Sequence, residues 1–301
     1  MTSISVIHPA RNENLEIEAT VASMLAAGAG EVIVMDDGSD IPLPRLPGTV
    51  QVRHDQPEGP SVCRNQGARI AAGDVLVFAD AHTRIDNLHT LAEEAVRRQC
   101  IIVPAMQSLY ASSNVTGWSR NFITQGSSKE LLGFDMANAK PKTRFTHCGG
   151  NWGGFFIMPR TVYDRIGGWV DHTYWGYNDP SLILKAWFCD VPVILDSDVI
   201  YKHKGKVKTG FGYPVKAEQP LINLLHTYTV LFDPATVQRH WLPLMQQHHR
   251  WMIPRAEAWA QSPTVQAERK AFQSLKRQPD AAFFEVFLPR KGFNGEEVLS
   301  A

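Results

Sequence analysis

Val75-Leu76-Val77-Phe78-Ala79-Asp80-Ala81-His82-Thr83 decides how this chain is read. Five apolar, mostly β-prone residues in a row predict a strand buried on both faces, and the polar residues after them stand where such a strand leaves its sheet. Along an extended backbone residues i and i+2 point the same way, so Asp80 and His82 can converge on one point. A carboxylate oxygen beside an imidazole nitrogen suits Mn²⁺ or a similar divalent ion. Ligands of open α/β sheets collect beyond the carboxyl ends of the strands, which makes this a candidate metal half-site. Asp-x-His is common by chance, so its weight comes from its neighbours.

Upstream and downstream, strand and helix signals alternate. Strands are expected over Ser3 to His8, Glu31 to Met35, Val50 to His54, Asp74 to Ala79 and Cys100 to Met106, and helices over Asn14 to Ala27, Ser61 to Ala72 and Asn87 to Arg98. Repeated βα units with apolar strands predict an α/β fold with a mostly parallel sheet covered by helices on both faces. Ile41-Pro42-Leu43-Pro44-Arg45-Leu46-Pro47 is a surface connection. Residues 107–150 are less periodic, with short strands and polar turns. Gly153-Gly154-Phe155-Phe156-Ile157-Met158 then reads as a strand that begins beside something its backbone must approach closely. Pro180 to Phe188 reads as a helix with Pro180 at its first position and Asp179 as its cap. Ile194 to His203 reads as a strand pair. The lysine- and glycine-rich stretch 204–216 has the composition of a mobile loop, and from Glu218 the pattern is helical to about Leu275. The last twenty-five residues could be a docked tail or a partner surface.

The composition sets bounds. A length of 301 residues allows one large domain or two small ones. Thirty basic and thirty acidic residues leave no net charge, so the global field gives no argument for nucleic acid or an anionic membrane, although residues 202–216 and 250–277 are locally basic. Cys63, Cys100, Cys148 and Cys189 form no C-x-x-C pair, which favours a reducing compartment. The chain enters a strand at Ile4-Ser5-Val6-Ile7 rather than a signal peptide, and no apolar run approaches the ~20 residues of a membrane span. A cytoplasmic protein is the expectation.

Four segments in order, His8-Pro9-Ala10-Arg11-Asn12-Glu13, Val34-Met35-Asp36-Asp37-Gly38-Ser39, Arg64-Asn65-Gln66-Gly67-Ala68 and Asp80-Ala81-His82, resemble the nucleotide-sugar half of family 2-type glycosyltransferases of the GT-A fold. The Asp-x-His form is that of the polypeptide N-acetylgalactosaminyltransferases. Gly153 to Arg160, Ile166-Gly167-Gly168-Trp169, Tyr174-Trp175-Gly176-Tyr177-Asn178-Asp179 and Trp187-Phe188-Cys189 look like that family's acceptor-side core, so the resemblance covers residues 3–216. It implies a Rossmann-like, mixed α/β sheet of the nucleotide-diphospho-sugar transferases. The catalytic domain would span 1–216, with a nucleotide-sugar half at 1–106 and an acceptor-side half at 107–216. A mainly helical extension would follow at 217–301.

The resemblance also implies a site. Asp80, His82 and His203 would hold Mn²⁺ or Mg²⁺, although the spacing to His203 is two residues longer than the family pattern. Pro9, Ala10, Arg11, Glu13, Asp36, Asp37, Arg64, Asp80, Ala81, Gly153 and Gly154 would surround a UDP-sugar. Either Asp36 or Asp37 can accept from a uracil N–H or a ribose hydroxyl; equally, one of them can cap the Gly38-Ser39 turn. The arginine forks match diphosphate oxygens. Asp179, Asn178 and Trp175 are the catalytic candidates. Where the retaining relatives carry Trp-Gly-Gly-Glu-Asn this chain has Trp175-Gly176-Tyr177-Asn178-Asp179, so Asp179 fits either an inverting base or an N-cap, and retention is the expectation. Lys204, Lys206 and Lys208 could add positive charge to a closing loop hinged on Gly205, Gly210 and Gly212. Trp152, Trp175, Tyr177, His147 and Asn151 are acceptor-side candidates, and the acceptor hydroxyl could belong to a peptide, a glycan or a modified DNA base. The rival readings are a nucleotidyltransferase, for which the N-terminal Gly-rich phosphate loop is missing, and an inactive sugar-nucleotide-binding scaffold.

Overall fold

The computed structural model describes residues 2–110, 116–123, 133–137, 139–148, 154–205, 218–243, 246 and 250–287. Its strands are β1 (Ile4–Ala10), β2 (Glu31–Asp36), β3 (Val50–Arg53), β4 (Val75–Ala79), β5 (Thr83–Arg84), β6 (Ile101–Ser108), β7 (Thr116–Gly117), β8 (Ser119–Ile123), β9 (Gly133–Ala137), β10 (Phe145–His147), β11 (Phe155–Pro159) and β12 (Val193–His203). The main sheet runs β10-β12-β6-β11-β4-β1-β2-β3, with β5 paired to β12 and β7 to β6; β8 and β9 form a separate hairpin. β4, β1, β2 and β3 are parallel neighbours, as βα alternation demands. β11 runs antiparallel to β4 and β6, which makes the whole sheet mixed.

Helices α1 (Ile17–Ala26), α2 (Pro60–Ile70), α3 (His89–Arg98), α4 (Arg160–Ile166) and α5 (Asn178–Phe188) cover the sheet. Two apolar clusters form, one holding α1 and α3 against Val6, Val77 and Ile157, the other holding α2, α4 and α5 against Ile7, Phe78 and Met158. The alternation of these residues along β1, β4 and β11 shows that both faces of the central strands are covered, which is why they read as unbroken apolar runs. Phe78 has no exposed surface, and its truncation to alanine would cost about 3–5 kcal/mol.

Beyond residue 217 come α6 (Gln219–Leu231), α7 (Ile253–Ala260), α8 (Pro263–Leu275) and α9 (Asp280–Phe287). α8 packs on α6 and α4, and α6 packs on α5. Phe188 of α5, Phe232, Phe272 and Phe283 meet ring to ring at centroid distances of 5.1–6.5 Å, so the extension shares the core of the sheet domain. The four cysteines are buried and free.

Two local expectations are corrected. The strand pair expected at Ile194 to His203 is one strand, β12, with a bulge between Asp196 and Ile200. The charged Asp196 lies inside that strand because its fully buried carboxylate is satisfied by the Arg144 fork, Nε at 3.0 Å and Nη2 at 2.9 Å. Asp179 does not cap α5: the helix begins at Asn178 after Tyr177, which lies at φ +59°, and Asp179 sits in the first turn with its carboxylate turned to other partners.

Candidate metal and nucleotide-sugar site

β4 ends at Ala79, and the chain then carries Asp80 and His82 past the sheet edge into β5. β5 is antiparallel to the end of β12, with Thr83 opposite His203, and the Lys204 N–H donates to the His82 carbonyl at 3.1 Å. Two histidines 121 residues apart in sequence therefore meet. Their Nε2 atoms are 3.2 Å apart, and Asp80 Oδ2 lies 3.4 Å from His203 Nε2 and 4.0 Å from His82 Nε2. Behind His82, Glu13 Oε1 sits 3.1 Å from Nδ1. A carboxylate only accepts, so His82 carries its hydrogen on Nδ1 and turns the Nε2 lone pair toward Asp80 and His203. A ligating histidine backed by a carboxylate in this way is held in one tautomer and one orientation.

Gly154 fixes the other side of Asp80. Its carbonyl accepts the Asp80 N–H at 2.9 Å, its backbone lies at φ +67°, and a Cβ there would fall 2.3 Å from Asp80 Cγ. Only glycine fits, which explains the expected close approach at the start of β11. Arg64, 3% exposed, projects from α2 and bridges Asp80 Oδ1 (3.2 Å from Nη2) and Asp179 Oδ1 (3.1 Å from Nη1). Its guanidinium lies 4.2 Å from the Trp169 ring, which is itself packed on Phe78 and Phe156. The second Asp179 oxygen accepts the Gly154 N–H at 3.3 Å. Burial alone would push the Asp80 carboxyl up; the hydrogen bond to His203 and the adjacent Arg64 guanidinium outweigh it and hold the group far below the usual carboxylate range. His8 on neighbouring β1, its Nδ1 2.8 Å from the Ala79 carbonyl, is pushed by burial down to about 4 and stays neutral.

The remaining expected residues fall into three groups. Pro9 and Ala10 end β1 opposite Met35 and Asp36, and Arg11 and Glu13 follow on the loop toward His82. Ala81 is buried, its carbonyl accepting from Thr20. A second group is engaged within the fold. Asp36 accepts the Ser39 N–H at 2.9 Å and pairs with Arg53; Asp37 accepts the Glu58 and Gly59 N–H groups at 2.7 and 3.0 Å. Asn178 is buried, accepting from the Gly176 N–H and donating to Ser61. Lys204 reaches back to Glu16 at 3.1 Å, and Tyr177 packs edge-on to Tyr228. His147 lies on β10 opposite Ile194, at the far end of β12 from His203. Trp175 is 39% exposed on the loop into α5. The third group, Asn151, Trp152, Gly153, Lys206, Lys208, Gly210 and Gly212, lies outside the described residues. The Arg64 bridge between Asp80 and Asp179 was not foreseen, since nothing local in the sequence ties a helix arginine to a carboxylate 115 positions away.

Residues 5–167, more than half of the chain, match the model of glycosyl transferase family 2. The chain belongs to that family. Among curated relatives, this family 2 chain is 25% identical over 180 residues to human polypeptide N-acetylgalactosaminyltransferase 14, covering 53% of this chain and 32% of the relative. It is 26% identical over 248 residues to the probable N-acetylgalactosaminyltransferase 7 of Caenorhabditis elegans, covering 70% and 41%. The match thus spans well under half the length of these relatives. Among solved structures, GalNAc-T7 with UDP, GalNAc and Mn²⁺ superposes with a TM-score of 0.72 at 17% identity, over 95% of this chain and 57% of that one, which establishes the GT-A fold. Staphylococcus aureus TarS 1–349 in complex with UDP gives 0.51 at 14% identity, over 97% and 94%. No helix among the described residues is long and apolar enough to cross a membrane.

Proposed function

We propose that this family 2 chain is a metal-dependent glycosyltransferase that moves a sugar from a UDP-sugar to an acceptor hydroxyl, with retention of configuration. The observation that carries this reading is the convergence of Asp80, His82 and His203, whose ligand atoms all lie within 4.8 Å of one another. One carboxylate and two imidazoles suit a divalent ion of the Mn²⁺ class. The residues fit such an ion in two further respects: Glu13 holds His82 with its lone pair inward, and Gly154 leaves Asp80 the space a side chain would fill. Bound there, the ion supplies Lewis-acid stabilisation of the negative charge that the departing diphosphate acquires.

The chain's own groups supply the rest. Arg64 aims Asp80 through its 3.2 Å bond to Oδ1, and its guanidinium packs over the buried Trp169 ring. Asp179 is held by the Arg64 fork and the Gly154 N–H, so its carboxylate is engaged within the chain rather than presented to an acceptor hydroxyl, which supports retention. Tyr174 and Trp175, 38% and 39% exposed on the loop leading to Asp179, offer aromatic surface for a sugar or acceptor. We further assign residues 1–216 to catalysis and 217–301 to a helical extension that buttresses it; α8 packs on α4 and α6, and Phe188 lies among the extension's rings. The test is UDP release from a panel of UDP-sugars with and without Mn²⁺. Slow, metal-dependent hydrolysis of one sugar nucleotide, abolished in His203→Ala, is the expected result; metal-independent release, or none from any donor, would refute it.

A further inference from the structure

Three residues after Glu13, the loop into α1 presents a second buried carboxylate. Glu16 donates its N–H to the Glu13 carbonyl at 2.9 Å and is 5% exposed. Its Oε1 accepts the Tyr110 hydroxyl at 2.7 Å and the Lys204 ammonium at 3.1 Å, and its Oε2 accepts Arg84 Nη2 at 2.9 Å. The Lys204 ammonium also lies 5.9 Å from the centre of the Tyr110 ring. Burial alone would push the Glu16 carboxyl up; its bonds to Tyr110, Lys204 and Arg84 outweigh it and hold the group below its ordinary value.

These three partners come from three strand ends, and all of them flank His203. Thr83 of β5 lies opposite His203, and Arg84 follows it; Ser108 of β6 also lies opposite His203, and Tyr110 comes two residues later. Lys204 follows His203 itself. On β12 both ladders reach their last paired residue at His203. Past that point the Lys204 N–H donates to the His82 carbonyl at 3.1 Å, and the Leu109 N–H to the His203 carbonyl at 2.8 Å. The end of a ladder opens more readily than its middle, so an imidazole placed there needs a further hold. Glu16 gives one, gathering the residue after His203 and the strands on both sides of it. Arg84 ties β5 to α1 without this help, because its Nη1 donates to Thr20 Oγ1. Anchoring the helix therefore leaves the Lys204 and Tyr110 contacts unexplained.

We propose that Glu16 is a positioning residue of the metal site: through Lys204 and Tyr110 it fixes the last rung of β12, and with it His203, as Glu13 fixes His82. This role presupposes the metal-dependent reading of Asp80, His82 and His203. One short segment, Glu13 to Glu16, then sets both imidazoles, whose Nε2 atoms face each other across 3.2 Å. Outer contacts of this kind keep ligands in the geometry a cation requires.

Manganese titration by calorimetry, without nucleotide, separates such a clamp from a through-space field. Removing the Glu16 charge takes away an attraction for the cation, whereas removing the Lys204 charge takes away a repulsion. A field alone therefore shifts affinity in opposite directions in Glu16→Gln and Lys204→Met. The clamp requires both variants to bind manganese more weakly, by about 10-fold or more, and Lys204→Arg, which keeps the ion pair, to bind as the wild type does. Urea unfolding checks that each variant is folded; Lys204→Met, altered at a partly exposed side chain, decides the matter if Glu16→Gln is not. Unchanged affinity in the folded variants, or tighter binding in Lys204→Met, would overturn the proposal and leave Glu16 in a purely structural ion pair beside an intact metal site. A wild type that binds no manganese would remove the metal site and the proposal together.

Discussion

His82 and His226 each lean on a glutamate, yet they stand in opposite chemical situations. His82 gives Nδ1 to Glu13 and leaves Nε2 directed at Asp80 and His203, a lone pair with nothing but other ligand atoms in front of it. His226, on α6, gives Nε2 to Glu268 at 2.8 Å and accepts the Trp259 indole N–H on Nδ1 at 3.3 Å. Both its nitrogens are spent, and Glu268 also accepts the Asp171 N–H at 3.1 Å. The first pair is arranged to receive something; the second binds α6 to α8 within the extension, and Glu268 ties it to the sheet domain through Asp171. Burial and a carboxylate neighbour do not separate the two roles, whereas the destination of the second ring nitrogen does.

Substitutions should divide along the same line. The largest effect is expected from Gly154→Ala, which drives a methyl group into the Asp80 carboxylate; metal-dependent donor turnover should fall by about 10²-fold or more while the circular dichroism spectrum is unchanged. Glu13→Gln, which removes the charge behind His82, should weaken manganese affinity by about 10–100-fold, measurable by calorimetry. On the other side of the comparison, Glu268→Ala strips acceptors from His226 and from the Asp171 N–H. It should cost about 1–3 kcal/mol in urea unfolding and leave manganese affinity at the wild-type value. Weakened manganese binding in that variant would mean that the two regions are coupled.

The smallest expected effect is one of pH. Burial, helped by the neighbouring Lys185 ammonium, pushes the His172 imidazole well below its ordinary value of 6.5. Below pH 6.5 the unfolded chain takes up a proton there that the folded chain refuses, so His172 makes stability fall as the pH drops, by at most about 1.4 kcal/mol per pH unit. Unfolding curves collected between pH 6.5 and 5 should show a shallower loss in His172→Asn than in the wild type.

The sequence made the centre of the sheet legible because β4 is an uninterrupted apolar run that stops at Asp80, and a strand covered on both faces leaves that signature. His203 could be placed because the resemblance supplied a late strand ending in histidine; its contact with His82 depends on β5–β12 pairing, which no local pattern encodes. Asp196 misled for a physical reason, since a charged residue in mid-strand reads as a break unless its arginine partner is known to be adjacent. The expected closeness of backbone at Gly154 was legible from the glycine itself, while its partner, Asp80, was not.

Calorimetric titration of UDP-sugars into wild type and His82→Ala, each with and without Mn²⁺, tests most directly whether the lone pairs converging at Asp80, His82 and His203 hold a metal for a sugar-nucleotide donor. Binding of one UDP-sugar that requires manganese in the wild type and disappears in His82→Ala is the expected result. Binding that ignores both the metal and the substitution would contradict the metal-dependent donor site.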